Sequence, residues 1–156
     1  MLFDKQLEQA RRLSNQAEFE KIGYDIIKQF CEEREITFQH TERTEIDYDG
    51  VDYIINLSGD SINCAFRVIK SNKKMLFLRY SGGEGGVSEA QKIKEGTTKA
   101  QVYATYEMST RMLRFYKITD IKKWLNQSRE LKYGKDGSRY YEIPFNDLQP
   151  LREFQM

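Results

Sequence analysis

Apolar positions in the first 35 residues recur at helical spacing. One stripe, with intervals of three and four residues, consists of Phe19, Ile22, Ile26 and Phe30, a pattern typical of one face of an α-helix. A weaker stripe upstream consists of Leu7, Ala10, Leu13 and Ala17. The pattern predicts either one long helix over residues 4–35 or two helices joined near residues 14 and 15. Gly23 lowers helix propensity by about 1 kcal/mol relative to Ala, so its position predicts close packing against a sheet.

After residue 35 the period of the pattern changes from helical spacing to two. Alternating apolar and polar residues predict strands over 36–40, 51–57, 62–70 and 75–80. Short polar segments at 58–61 and 71–74 supply turns between the last three of these strands. The middle of the chain is therefore predicted to form a meander of neighbouring strands.

The second half of the chain predicts a helical crossover followed by a return to strands. Gly82–Gly86 is a loop, and Ser88 with Gln91 matches the capping box that begins a helix. Helical spacing then continues to about Met108, with a break at Gly96. Beyond it the pattern predicts a strand over 112–118, a short helix capped by Thr119, and a hairpin over 130–143. This order predicts an α/β fold, with a mixed central sheet flanked by helices and an extra C-terminal hairpin.

Length and composition fit one folded domain over residues 1–156. The chain is 39% hydrophobic and has two prolines, enough apolar surface for a core without metal or disulfides. It lacks an apolar run of membrane-spanning length and an apolar signal segment, so we expect a cytoplasmic protein with no membrane partner. Cys31 and Cys64 are predicted to be buried free thiols, since neither has a neighbour at CxxC spacing.

Charge is balanced overall but uneven along the chain. The formal net charge is +1, yet residues 32–60 hold nine acidic side chains against two basic ones. Five basic residues and no acidic one follow between residues 67 and 80: Arg67, Lys70, Lys73, Lys74 and Arg79. An acidic stretch beside a basic one suits a metal and phosphate site. The alternative interpretation is a set of solvated strand faces and turns.

Two charged residues on neighbouring predicted strands carry a family resemblance. Asp52 begins one strand and Lys70 ends the next. In this respect the chain resembles the PD-(D/E)xK superfamily of nucleases, which share a restriction-endonuclease-like fold. The resemblance implies a core of helix, three-strand meander, helix and strand. It also implies that Asp52 binds a metal and that Lys70 positions the attacking water or stabilises the charge on phosphorus.

The resemblance implies further acidic residues and a Mg²⁺ cofactor. Glu18 or Glu20 matches the acidic residue that many members carry on the first helix. Glu89 lies at the position where several phage members have a helix that lines the active site. The chain departs from the motif at Val68, where the family has an acidic residue two positions before the lysine. Because Mg²⁺ is held by carboxylates, water and phosphate, catalysis would require another carboxylate such as Glu89 to join Asp52.

Two functions follow as hypotheses. In the first, the chain is a nuclease-fold protein that binds DNA or RNA; if active, it is a metal-dependent endonuclease. The residues expected to contact phosphates are Arg67, Lys73, Lys74 and Arg79. In the second, it is a non-catalytic protein-interaction factor, such as a phage-type inhibitor or accessory protein; Val68, the low net charge and the ten tyrosines favour this alternative. Salt dependence of nucleic-acid binding separates the two.

Overall fold

In the computed structural model of the protein, the residues described are 2–41, 50–70, 74–81, 89–127, 129–134 and 139–156, with side chains from residue 17 onward. The helices are α1 (Leu2–Glu33), α2 (Glu89–Glu95) and α3 (Ile118–Leu125), with a 3₁₀ turn at Phe145–Asp147. The strands are β1 (Thr37–His40), β2 (Tyr53–Leu57), β3 (Asp60–Ile69), β4 (Met75–Ser81), β5 (Val102–Glu107), β6 (Met112–Lys117), β7 (Lys132–Tyr133), β8 (Arg139–Pro144) and β9 (Arg152–Gln155).

The strands form two sheets. The larger has six strands in the order β1-β2-β3-β5-β6-β9, and the smaller has three in the order β4-β8-β7. In the larger sheet β3 and β5 are parallel and every other neighbouring pair is antiparallel. The sheet is therefore of mixed sense, and the predicted α/β class is confirmed.

Two hydrophobic clusters cover the two faces of the six-stranded sheet. Side chains alternate along β3, so Phe66 and Val68 point to one face while Ala65 and Ile69 point to the other. The first pair packs with residues of α1, such as Ile27 and others in the same cluster. The second pair packs with residues of α2, α3 and the smaller sheet. We call these the α1 face and the α2 face.

Helix α1 is continuous from Leu2 to Glu33, so the one-helix alternative is right. Gly23 lies against the sheet, and a Cβ added to it would approach the ring of Phe66 to 2.9 Å. The predicted close packing at this glycine is confirmed. The cysteines are also as predicted, since Cys31 and Cys64 are both buried free thiols.

The helix predicted to reach Met108 instead ends at Glu95. Gly96 takes a positive φ of 76°, and the N–H of Thr97 turns back to the carbonyl of Lys92 at 2.9 Å, an arrangement that ends helices. Residues 102–107 then form β5 because pairing with both β3 and β6 satisfies their backbone and buries them on two faces. Tertiary pairing thus outweighed the helical spacing of this segment.

Two smaller expectations were also wrong, and one strand was not expected. The strand over 75–80 does not extend the central sheet, because β4 pairs with β8. Helix α3 begins one residue before Thr119, so its N-cap residue is Lys117, which makes no side-chain capping hydrogen bond. Strand β9, which pairs with β6, had no counterpart in the sequence pattern.

Some of the predicted turns and strand pairings fall within the described residues, and others do not. The turn predicted at 58–61 is present but occupies only residues 58–59, since β3 begins at Asp60. The pairing of β7 with β8 is as predicted. The turn at 71–73, the glycine loop with Ser88, and the turn at 135–138 lie outside the described residues. Among the helices of the described ranges, none combines the length and apolar character needed to cross a bilayer.

Candidate functional site

Asp52 lies directly before β2, where the ladder between β2 and β3 ends. Its backbone N–H donates to the carbonyl of Cys64 at 2.9 Å. Its carboxylate Oδ2 accepts the backbone N–H of Phe66 at 2.8 Å. The side chain therefore takes the place of a backbone acceptor in the ladder, which fixes the carboxylate beside the centre of β3.

Three side chains from different elements form a hydrogen-bonded cluster on the α2 face. Arg67 of β3 donates from its guanidinium to Glu89 Oε2 at 2.7 Å and from Nε to the Tyr103 hydroxyl at 3.2 Å. The Tyr103 hydroxyl donates to Glu89 Oε1 at 2.6 Å. We call Arg67, Glu89 and Tyr103 the Arg67 cluster.

The electrostatics of the cluster reinforce its hydrogen bonds. Burial raises the pKa of Tyr103 well above its ordinary value, so the hydroxyl stays protonated and can donate to Glu89. Tyr103, Glu89 and Asp52 all raise the pKa of Arg67. The guanidinium is thus a permanent positive charge bonded to Glu89 and within electrostatic reach of Asp52.

A cavity of about 180 Å³ lies next to this cluster on the α2 face. Asp52 and Glu89 both line it, together with Ala65 and Lys92. These two carboxylates are the pair assigned to the metal in the sequence analysis, and the fold brings them to one cavity. We call it the Asp52 cavity.

The described residues of the Asp52 cavity do not fit a resident Mg²⁺. Both Glu89 oxygens already accept hydrogen bonds from Arg67 and Tyr103, and the guanidinium supplies the positive charge that a cation would supply. Mg²⁺ demands an octahedral set of oxygen ligands. Within the described ranges no three residues among His, Cys, Asp and Glu are grouped to hold a metal ion. A cation at Glu89 would have to displace Arg67.

The structure does not bring Lys70 to Asp52. Asp52 lies beside Cys64–Phe66, so Lys70 is four residues beyond Phe66, roughly 13 Å along the strand direction. Its Nζ is 6.0 Å from the ring of Phe19 on α1, on the face opposite the Arg67 cluster. On β3 the basic residue that reaches this region is Arg67, which bonds to Glu89, because strand register rather than sequence order sets which residue lies near Asp52.

The remaining acidic candidates lie on α1, away from the Asp52 cavity. Glu18 and Glu20 are exposed on that helix, and neither lines the cavity. Val68, where the family motif has an acid, packs against the α1 face. A carboxylate at position 68 would therefore point away from Glu89.

The residues expected to contact phosphates lie on two different sheets. Arg67, on the larger sheet, is bound to Glu89. Lys74 and Arg79 are exposed and belong to the β4 region of the smaller sheet. Lys73 lies outside the described residues. Among the described residues, Arg67 therefore lies on a different sheet from Lys74 and Arg79.

The sequence pattern did not predict that Tyr103 belongs to the Arg67 cluster. It also did not predict a second buried ion pair on the α2 face, between Glu107 and Arg114. Glu107 is only 1% exposed and pairs with Arg114 at 3.0 Å. The available signal was a carboxylate in a segment, 102–107, that is otherwise uncharged. An acid inside a strand buried on both faces is normally paired, but the segment was predicted to be helical.

Comparison of the amino-acid sequence with known proteins gives no family for the chain. No protein-family model and no curated protein matches it. Its function is therefore inferred from the geometry of the Asp52 cavity and the Arg67 cluster.

Proposed function

We propose that the protein is a nuclease-like protein that binds nucleic acid at the Asp52 cavity without resident metal. The observation that carries the proposal is the meeting of Asp52 and Glu89 in one cavity beside two cations, Arg67 and Lys92. Arg and Lys side chains bind phosphate through charge-assisted hydrogen bonds, and such contacts make nucleic-acid binding depend on salt.

The strand order supports the nuclease-like ancestry. An antiparallel meander β1-β2-β3 is followed by helix α2 and by β5, which is parallel to β3. This is the sequence of elements implied by the PD-(D/E)xK resemblance, with the smaller sheet as an addition. Fold alone does not determine function, so the proposal depends on the cavity and not on the strand order.

Binding to labelled single- and double-stranded DNA and RNA tests the proposal. We expect binding at 50 mM salt that weakens by about tenfold or more at 200 mM, because each neutralised phosphate releases counterions. The Lys92→Ala variant should weaken binding by about threefold to tenfold and reduce the salt slope. Lys94→Ala is the matched control, because Lys94 is on the same short helix but does not line the cavity.

Absence of binding to all four nucleic acids at low salt would contradict the proposal, as would equal losses for the Lys92 and Lys94 variants. Incubation with Mg²⁺ or Mn²⁺ is the second measurement, and we expect no cleavage. Cleavage that disappears in the Asp52→Asn variant would contradict the metal-free part of the proposal. It would show that a carboxylate outside the described residues completes the site.

The alternative is a protein-interaction factor. It is favoured by the engagement of Arg67 with Glu89 and by the placement of Lys74 and Arg79 on the other sheet. Together these leave no continuous basic surface among the described members of the predicted phosphate-contact set. Salt-insensitive binding to a protein, with no nucleic-acid binding, would select this alternative.

A further inference from the structure

The smaller sheet packs one of its faces on the core and turns the other away from it. Leu78 of β4 and Tyr141 of β8 point inward and are buried in the cluster of the α2 face. Because side chains alternate along a strand, the residues between the buried positions point outward. We call this second face the outer face of the smaller sheet. Its half-buried or exposed members include Phe77, Arg79, Lys132, Tyr140 and Glu142.

Two aromatic rings lie on the outer face. Phe77 and Tyr140 contact each other edge to face, with ring centroids 5.9 Å apart. Both are only partly buried, and neither belongs to the two hydrophobic clusters found among the described residues. Core packing therefore does not account for this pair. A partly exposed aromatic ring on a sheet is a surface on which an unpaired base can stack.

Cations flank Tyr140 on both sides. The strand register places Arg79 of β4 directly opposite Tyr140, and Lys132 of β7 directly opposite it on the other side. Directly opposed side chains of antiparallel strands have Cβ atoms about 5 Å apart. The three residues therefore form a row across the sheet, with the ring between two positive charges.

The two cations of this row are accessible to an anion. Arg79 is exposed. Lys132 is 45% exposed, and its ion pair with Glu130 joins Nζ to a carboxylate oxygen at 3.5 Å. Glu130 is itself 79% exposed, and ion pairs of this kind contribute little to stability, so a phosphate can replace that carboxylate. The acid of the outer face, Glu142, lies opposite Phe77 rather than Tyr140, which leaves the positive charge concentrated around Tyr140.

We propose that the outer face of the smaller sheet binds single-stranded nucleic acid, with an unpaired base stacked on Tyr140 and the flanking phosphates bound by Arg79 and Lys132. Single strands bind in this way because the ring contacts the base while the cations follow the backbone. A duplex gains nothing from the ring, since its bases are already paired and stacked. The inference rests on the proposed binding of nucleic acid and adds a second surface, because no lining residue of the Asp52 cavity belongs to the smaller sheet.

Fluorescence anisotropy at low salt tests the role of the ring, with labelled oligo(dT), oligo(U) and a duplex, each of about 12 nucleotides. Tyr140→Leu should weaken binding of both single strands by about tenfold, because one stacked base is lost, and should leave duplex binding unchanged. Tyr140→Phe keeps the ring and should retain the wild-type affinity. Tyr133→Leu is the matched control, because Tyr133 is 71% exposed on β7 but alternation places it on the opposite face from Lys132.

A second pair of variants tests the role of the charge. Arg79→Gln should weaken binding of the single strands by about threefold to tenfold and reduce the salt slope by about 1, because one phosphate contact is lost. Arg111→Gln is the matched control, since Arg111 is an exposed arginine between β5 and β6 of the larger sheet. We expect it to leave both the affinity and the salt slope unchanged.

Equal losses for the Tyr140→Leu and Tyr133→Leu variants would overturn the inference, as would an equal loss of duplex and single-strand binding in Tyr140→Leu. Wild-type affinity in both Tyr140→Leu and Arg79→Gln would also overturn it. Circular dichroism must show that each variant is folded; if Tyr140→Leu is not, the comparison of Arg79→Gln with Arg111→Gln decides.

The same titrations separate this inference from the proposed function. A loss of binding in Lys92→Ala but not in Tyr140→Leu would leave the Asp52 cavity as the binding site and overturn the role of the outer face. A loss in Tyr140→Leu but not in Lys92→Ala would support the outer face and contradict the Asp52 cavity. No binding of any of the three nucleic acids would overturn both.

Discussion

The two faces of the six-stranded sheet differ in what they bury. The α1 face is filled by apolar and aromatic side chains, such as Ile27, Phe30 and Leu113. The α2 face also has a large apolar cluster, but it holds the Arg67 cluster and the Glu107–Arg114 pair as well. The difference indicates that one face stabilises the fold, whereas the other combines stability with the candidate chemistry.

The alternation of side chains along the strands explains this division. In β5, Ala104 and Tyr106 point to the α1 face, while Tyr103 belongs to the α2 face, as do Thr105 and Glu107 by alternation. One strand therefore supplies an apolar surface to α1 and polar side chains to the opposite core. Substitutions on the two faces should therefore have different effects on the free energy of unfolding.

Glu107→Ala should lower the free energy of unfolding by about 3 kcal/mol, because it leaves the mostly buried Arg114 without its buried partner. Glu153→Ala removes the other, 47% exposed partner of Arg114 and should cost about 1 kcal/mol or less. Urea unfolding measures both. Equal effects of the two substitutions would mean that the burial of the carboxylate does not determine how much each ion pair contributes to stability.

High pH should destabilise the α1 face through its thiols. Burial raises the pKa of Cys31 from 9.0 to about 11, and burial raises that of Cys64 as well. The unfolded chain loses these protons first, so the free energy of unfolding should begin to fall as the pH approaches 9 and should have fallen by about 2 kcal/mol or more at pH 11.

A variant with Cys31→Ala and Cys64→Ala is the control for this pH dependence. Its stability should fall less steeply over the same range, as measured by urea unfolding at each pH. A slope identical to that of the wild-type protein would exclude the thiols as its cause.

Gly23→Ala tests the contact between α1 and the sheet. The added methyl group would lie 2.9 Å from the Phe66 ring. Overpacking of this kind costs about 1–3 kcal/mol and exceeds the gain of about 1 kcal/mol in helix propensity. We therefore expect a net loss of about 1 kcal/mol in thermal or urea unfolding.

The same substitution in a Phe66→Leu background gives the matched comparison. The smaller side chain leaves room for the methyl group, so Gly23→Ala should there become neutral or stabilising. Stabilisation by Gly23→Ala in the wild-type background would show that the ring moves aside without cost.

Local patterns predicted much of the fold because their physical cause is local. The apolar stripe of α1, the period-two segments of β2 and β3, and the turn at 58–59 depend on neighbours in sequence. Strand β5 could not be predicted in this way. Its residues fit helical spacing, and pairing with β3 on one side and β6 on the other decides their conformation.

The candidate site was predictable in composition but not in arrangement. Asp52 and Glu89 were named from the resemblance to the PD-(D/E)xK motif, and they do share a cavity. The resemblance also named Lys70 as their partner, whereas the register of β2 on β3 places Arg67 near both carboxylates. A slip of one residue in register changes the face on which a side chain lies, so spacing alone does not determine it.

By itself, the sequence determined the α/β class, the helical nature of the first 33 residues and the buried thiols, since these follow from local periodicity and apolar content. Only the tertiary structure decided which charged residues meet, because contacts between β3, α2 and β5 join residues 67, 89 and 103. The reason is physical: hydrophobic patterning is read along the chain, whereas a hydrogen-bonded charge cluster requires side chains from distant segments at distances near 3 Å.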